Sequence, residues 1–151
     1  MDEWLLANGY IALFILSFLA ATLLPLGSEW MLVLLLVNQH DPAASVVVAT
    51  LGNSLGALTT YLLGLWGGPL LWQRLLRIDD SQRQKAERIY TRFGSWSLLF
   101  AWIPIIGDPL CLVGGLFKVG WARFLILVSL GKAARYLAIA ATVVNFGSSP
   151  V

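Results

Sequence analysis

Apolar residues run almost unbroken from Trp4 to Leu24, stop at Pro25-Leu26-Gly27-Ser28-Glu29, and resume from Trp30 to Val37. The second run is only about 12 Å of helix at 1.5 Å per residue, too short for a hydrocarbon core of roughly 30 Å. The pattern therefore predicts a re-entrant hairpin that enters, breaks and leaves on the same side. Irregular backbone at that depth has to be covered by protein or by a wet cavity. The polar loop Asn38 to Pro42, which holds the lone His40, follows. Ala43 to Trp66 is long enough to cross and is stopped by Gly67-Gly68-Pro69. It carries Gly52, Gly56, Thr60 and Gly64 four apart, a stripe that suits close helix packing, either within the chain or between two copies.

A polar stretch, Gln73 to Arg92, comes next. Ile78-Asp79-Asp80-Ser81 offers a helix start. Ala86, Ile89, Tyr90 and Phe93 then fall at helical spacing, beside Arg83, Lys85, Arg88 and Arg92. These features predict an amphipathic helix over about 79–92, lying at the membrane surface. A topology determinant is the preferred role for its charges, ahead of recognition of anionic lipid. Ser95 to Ile103 then enters, Pro104 to Pro109 breaks, and Leu110 to Phe117 leaves, with Trp121 to Phe146 as the last crossing.

The two breaks are copies. Glu29 follows Pro25 by four residues, and Asp108 follows Pro104 by four, at an offset of 79 positions. The same offset maps Thr50-Leu51-Gly52-Asn53 onto Ser129-Leu130-Gly131-Lys132. The chain thus reads as one polytopic domain, with repeat 1 over about 4–66 and repeat 2 over about 94–147. The breakers are Pro25, Gly27, Pro104, Gly107 and Pro109, where proline removes a backbone donor and freed backbone groups can line a site.

Composition supports a membrane class. Of 151 residues, 58% are hydrophobic and 12% charged, too few polar groups to cover a soluble surface. Asp2 and Glu3 precede the first apolar run, unlike the basic start of a signal peptide, so that run is expected to be retained. Single cysteine and histidine residues, Cys111 and His40, leave no thiol-rich metal site and no nucleophile–base pair in view. Neither an enzyme, nor a cofactor or metal, nor a nucleic-acid partner is expected. Eight of the ten Lys/Arg fall in 73–92 and 118–123. With both hairpins re-entrant, these stretches share one face, which the positive-inside rule assigns to the cytoplasm, with both termini outside. Hairpin one then opens outward and hairpin two inward, an inverted repeat about an axis in the membrane plane. The predicted class is an all-α membrane protein with two opposed re-entrant hairpins, transmembrane helices and a surface helix.

Four charges stand out in apolar surroundings: Glu29, Asp108, Lys132 and Arg135. Each charge costs about 2.5–3.5 kcal/mol at mid-membrane on insertion scales, so pairing the acids with the cations is expected. The functional reading is that the acids exchange protons and the cations, once released, take an anionic headgroup. The structural reading is helix capping by the acids and a static charge cluster. Asn53 holds the repeat position of Lys132, and with Ser54 is expected to bond to neighbouring helices rather than to substrate; Gly52, Asn53 and Gly56 form the packing set. Trp30 and Trp102 flank the breaks and are expected to pack rather than gate. Trp4, Trp66, Trp72, Trp96 and Trp121 fit interfacial anchoring.

Leu23-Leu24-Pro25 with Ser28-Glu29, Gly52-Asn53-Ser54-Leu55-Gly56, Trp102-Ile103-Pro104 with Gly107-Asp108, and Gly131-Lys132-Ala133 with Arg135-Tyr136 together resemble the DedA family, also called the SNARE-associated or VTT superfamily. The likeness is greatest to its short YqaA-like bacterial subgroup and runs from about Gly9 to Ala141. It implies a bacterial inner-membrane protein with two opposed re-entrant hairpins. Family members are implicated in moving lipids across the bilayer, a polyprenyl-phosphate carrier among them, and in proton-dependent membrane homeostasis; related eukaryotic proteins scramble phospholipids. Glu29 matches the family's acid in the first hairpin. Around the second-hairpin proline, Ala101 and Gly107 stand where typical members carry arginines, and Lys132 and Arg135 are the candidates for replacing that charge. The leading expectation is a translocase of lipid or lipid-phosphate headgroups, with membrane lipids and protons as partners and a homo-oligomer allowed. The rivals are a proton or cation pathway and a non-transporting assembly factor.

Overall fold

The computed structural model describes residues 2–22, 28–67, 73–74, 78–103 and 106–147. The expected breakers Pro25, Gly27 and Pro104, and the anchoring Trp72, lie outside the described residues. In chain order the elements are α1 (Asp2–Ala20), α2 (Ser28–Val37), α3 (Pro42–Trp66), α4 (Asp80–Phe93), a 3₁₀ helix η1 (Gly94–Trp102), α5 (Gly107–Leu116) and α6 (Trp121–Gly147). Among the described residues there is no strand.

Local chemistry sets the helix ends. Asp41 accepts a hydrogen bond from the Ala44 amide at 2.8 Å, and Pro42 follows it, where a missing N–H costs nothing. Asp79 and Gln82 form a reciprocal capping box at 2.8 and 3.1 Å. That fixes the start of α4 where the sequence places it. Gly94 ends α4 with φ 65°, a conformation glycine adopts freely.

The second break is narrower than Pro104 to Pro109. Gly107 and Pro109 already belong to the first turn of α5, where proline is tolerated because its amide would have no intrahelical acceptor. The arm leading into this break is 3₁₀ throughout its nine residues, an unusual length for that helix type.

Both halves fold back on themselves. After α2, the His40 ring meets Tyr10 of α1 edge-on at 5.4 Å, so the chain has returned to the level of the middle of α1. His40, placed by the sequence in a polar loop, is thereby buried to 6% exposure. After α5, Phe117 stacks on Tyr90 of α4 at 4.7 Å. The apolar stripe of α4 seats Ala86, Ile89 and Tyr90 against Leu110 and Val113 of α5. A protein neighbour, rather than lipid, therefore covers most of that stripe.

Among the described residues two helices, α3 and α6, are long and apolar enough to cross a membrane. They are antiparallel: Val46 and Ala49 of α3 cluster with Tyr136 and Ala140 of α6, whereas Ala57 and Tyr61 cluster with Phe124 and Val128. The short arms are exchanged between the halves. α2 packs on α6 through Leu32 and Leu35, and α5 packs on α3. The starts of α2 and α5 (28 and 107), and of α3 and α6 (42 and 121), keep the offset of 79.

The glycine stripe is used inside the chain. A Cβ at Gly52 would lie 2.5 Å from Phe14 O, and one at Gly56 2.5 Å from Phe18 O, both in α1. Gly64 meets the Leu112 backbone of α5. Large apolar side chains of α1, α3 and α6, such as Ile15, Leu51 and Leu130, are exposed, as suits a chain whose surroundings are lipid. Trp30 is 77% exposed and so does not pack as expected; an apolar solvent removes the drive to bury it. Trp4, Trp66, Trp96 and Trp121 also face outward.

Candidate functional site

The starts of α2 and α5 and the middles of α3 and α6 converge on one cavity of about 20 Å³. Ser28, Glu29, Asn53, Asp108, Lys132 and Arg135 line it, with Ala20, Ala101 and Ile103 closing its sides. Its volume is room for about one water. All four charged residues singled out in the sequence thus meet, together with Asn53. Of the remaining candidates, Gly52 and Gly56 serve helix packing; Gly107 and Pro109 shape the tip of hairpin two.

Glu29 occupies the first turn of α2, and Asp108 the first turn of α5. Exposed amide groups and the helix dipole favour an acid at such a position. The side chains do more than cap. The Glu29 carboxylate forms an ion pair with Arg135, and the two side chains are 23% and 22% exposed. Arg135 Nη1 also donates to the Trp102 carbonyl at 3.2 Å, linking α6 to η1. Among the described residues Asp108 has no ion-pair partner within 4.0 Å; Lys132 shares its cavity. Two acids and two cations give the site a formal charge of zero.

Lys132 is 5% exposed. Its ammonium donates to Asn53 Oδ1, so the two residues at equivalent repeat positions touch. Asn53 Nδ2 donates to the Tyr136 hydroxyl at 2.8 Å, and that hydroxyl bonds Ser28 Oγ at 2.9 Å. Ser129 Oγ donates to Ser54 Oγ at 3.0 Å. Asn53 and Ser54 therefore bond to the neighbouring long helix, as expected.

Sequence reading missed Tyr136 and Ser28 as members of the polar set. One signal was available: a tyrosine amid apolar helix, four residues from Lys132 and next to Arg135, needs a partner for its hydroxyl when buried. Gly107 gains a reason as well. A Cβ there would collide with the Ala101 carbonyl, so the two arms of hairpin two touch through backbone. No long side chain fits that point without parting the arms.

A helical fold with two helices long and apolar enough to cross a membrane, and four charged side chains gathered between shorter arms, fits the class of integral membrane proteins. Comparison with known proteins gives the lineage: the VTT domain matches residues 3–145. The chain belongs to the VTT-domain, or DedA, family. It is 41% identical over 140 residues to the inner membrane protein YqaA of Escherichia coli, covering 92% of this chain and 94% of that one. It is 34% identical over 149 residues to an uncharacterized protein of Haemophilus influenzae, covering 91% and 88%. It is 23% identical over 131 residues to the uncharacterized membrane protein YbfM of Bacillus subtilis, covering 82% and 81%. No solved structure matches the chain.

Proposed function

We propose that this inner-membrane protein moves lipid or lipid-phosphate headgroups across the bilayer through the cavity between its two hairpins. One observation carries the reading: two acids at equivalent positions and two cations from α6 line one small cavity beside α3 and α6. Charges at such a place are costly and functional by default. The folding back of both arms and the antiparallel course of α3 and α6 support re-entrant hairpins in an inverted repeat. In that arrangement both termini lie outside, and 73–92 and 118–123 lie in the cytoplasm. A carboxy-terminal reporter fusion tests it; cytoplasmic activity of the reporter contradicts the topology.

In the proposed cycle, protonation of Glu29 releases Arg135, and protonation of Asp108 removes a negative charge from the cavity it shares with Lys132, so that the cations take an anionic headgroup. The arms then rock to expose the cavity to the other side. A volume of about 20 Å³ is far below that of a headgroup, so the cycle requires the arms to part before a headgroup enters. Purified protein in liposomes is expected to flip labelled headgroups, with Glu29→Gln and Asp108→Asn altering the response to pH. Flipping at the wild-type rate by both variants across a pH series rejects the proton link.

Cavity size favours a second reading, a proton or small-cation pathway, since one water is enough to carry it. Collapse of a pH gradient without headgroup movement in the same liposomes selects that reading. A protein inert in both assays points instead to an assembly factor.

A further inference from the structure

We infer that Tyr136 is a positioning residue that latches hairpin one shut and reports to it whether Lys132 is engaged. The inference rests on the transport reading above and adds the element that couples site to hairpin.

Tyr136 is buried in α6, where its ring packs among Leu32, Leu35 and Ala49. Its hydroxyl is the meeting point of three elements. It accepts from Asn53 of α3 and bonds Ser28, the first residue of α2. Since Asn53 Nδ2 is a donor, the phenolic proton is free to point at Ser28 Oγ. With the phenolic proton so placed, the bonds run in one direction, from the Lys132 ammonium to Asn53, to Tyr136, to Ser28. Donors in series polarise one another, and the charge at the head strengthens the whole.

Ser28 adjoins Glu29, so the tip of α2 is tied to α6 twice, once by the ion pair and once by this chain. Protonating Glu29 unties only the first. When Lys132 turns to a ligand, Asn53 loses its charged donor, the Asn53–Tyr136–Ser28 bonds lose the polarisation that the ammonium supplies, and the second tie weakens. Hairpin one then opens after both the proton and the ligand have arrived. Hairpin two has no counterpart: position 107, equivalent to Ser28, is glycine, and position 57, equivalent to Tyr136, is alanine.

Thiol accessibility tests the latch without any lipid movement, so its failure is separable from failure of the transport reading. Ala20 lines the cavity on the hairpin-one side. In full-length protein carrying Cys111→Ala and Ala20→Cys, modification by a water-soluble maleimide is expected to be slow. Adding Tyr136→Phe, which keeps the ring, is expected to speed it about tenfold, the effect of roughly one hydrogen bond. Ser28→Ala alone is expected to do the same, with no further gain in the double variant. Native Cys111, fully buried in α5, serves as the control in otherwise unaltered protein and is expected to react no faster with Tyr136→Phe. Unchanged Ala20→Cys labelling in Tyr136→Phe and Ser28→Ala proteins overturns the inference, as does additive acceleration. Equal acceleration at Cys111 also overturns it, because that is general loosening.

Discussion

The tips of the two hairpins are the same position in the duplicated pattern and are held in different ways. At the start of α2, Ser28 and Glu29 are tied to α6 by side chains: a hydroxyl bond to Tyr136 and an ion pair to Arg135. At the start of α5, Gly107 lies against the Ala101 backbone, and Asp108 faces the cavity with no ion pair within 4.0 Å among the described residues. The difference traces to the long helices. α6 supplies Lys132, Arg135 and Tyr136; the equivalent places on α3 are Asn53, Gly56 and Ala57. The offset of 79 places the same elements in both halves, and the cations and the tyrosine come from the second.

Side-chain ties and backbone ties break differently. The largest effect is expected from Arg135→Gln, which strands Glu29 in a largely dry site. Loss of about 3 kcal/mol is expected, near the lower end for breaking a buried pair because both groups keep some exposure. Denaturant unfolding in micelles measures it, and adding Glu29→Gln should restore more than half. If the double variant is no better than the single one, the ion pair does not hold hairpin one.

Next comes the backbone contact of hairpin two. Gly107→Ala forces its arms apart and is expected to cost about 1–3 kcal/mol, the range for overpacking. Gly147→Ala, with nothing within 4 Å of the new Cβ, should fall within about 0.5 kcal/mol of wild type. Equal stability of the two variants in thermal melts contradicts a close-packed tip.

The smallest pair is the sharpest. Thr50 and Ser129 hold equivalent positions, yet Ser129 bonds Ser54 whereas Thr50 Oγ1 is buried without a partner among the described residues. The repeat counterpart of Ser54 is Ala133, which offers Thr50 nothing. Ser129→Ala should cost about 1 kcal/mol, and Thr50→Val should be neutral or slightly stabilising. Matching losses at both positions in melts would mean that the halves are bonded alike.

Much of this arrangement can be read from the sequence, because membrane solvation is strict about length and charge. Two full-length apolar runs became α3 and α6, and two half-length arms became α2 and α5. Four costly charges were bound to seek one another. Which acid meets which cation was not legible: spacing puts Lys132 and Arg135 on one face of α6, but only the exchange of short arms brings α2, and with it Glu29, to Arg135. Pro109 misled because a proline that stops one helix is equally at home in the first turn of the next. Periodicity marks the apolar face of α4 without saying that α5 will cover Ala86, Ile89 and Tyr90. Trp30 misled because lipid and protein interior are both acceptable neighbours for an indole.

The contact between Asn53 and Lys132 carries a consequence for how such a molecule is able to diverge. A residue at the point where paired copies cross meets its own counterpart. Lysine in both places would set two ammonium groups face to face, a repulsion of about 4 kcal/mol at 4 Å under an effective dielectric of 20. An amide offers the oxygen that a lone ammonium needs and carries no charge of its own. A second lysine opposite Lys132 is therefore disfavoured, and the two equivalent positions are expected to hold at most one cation.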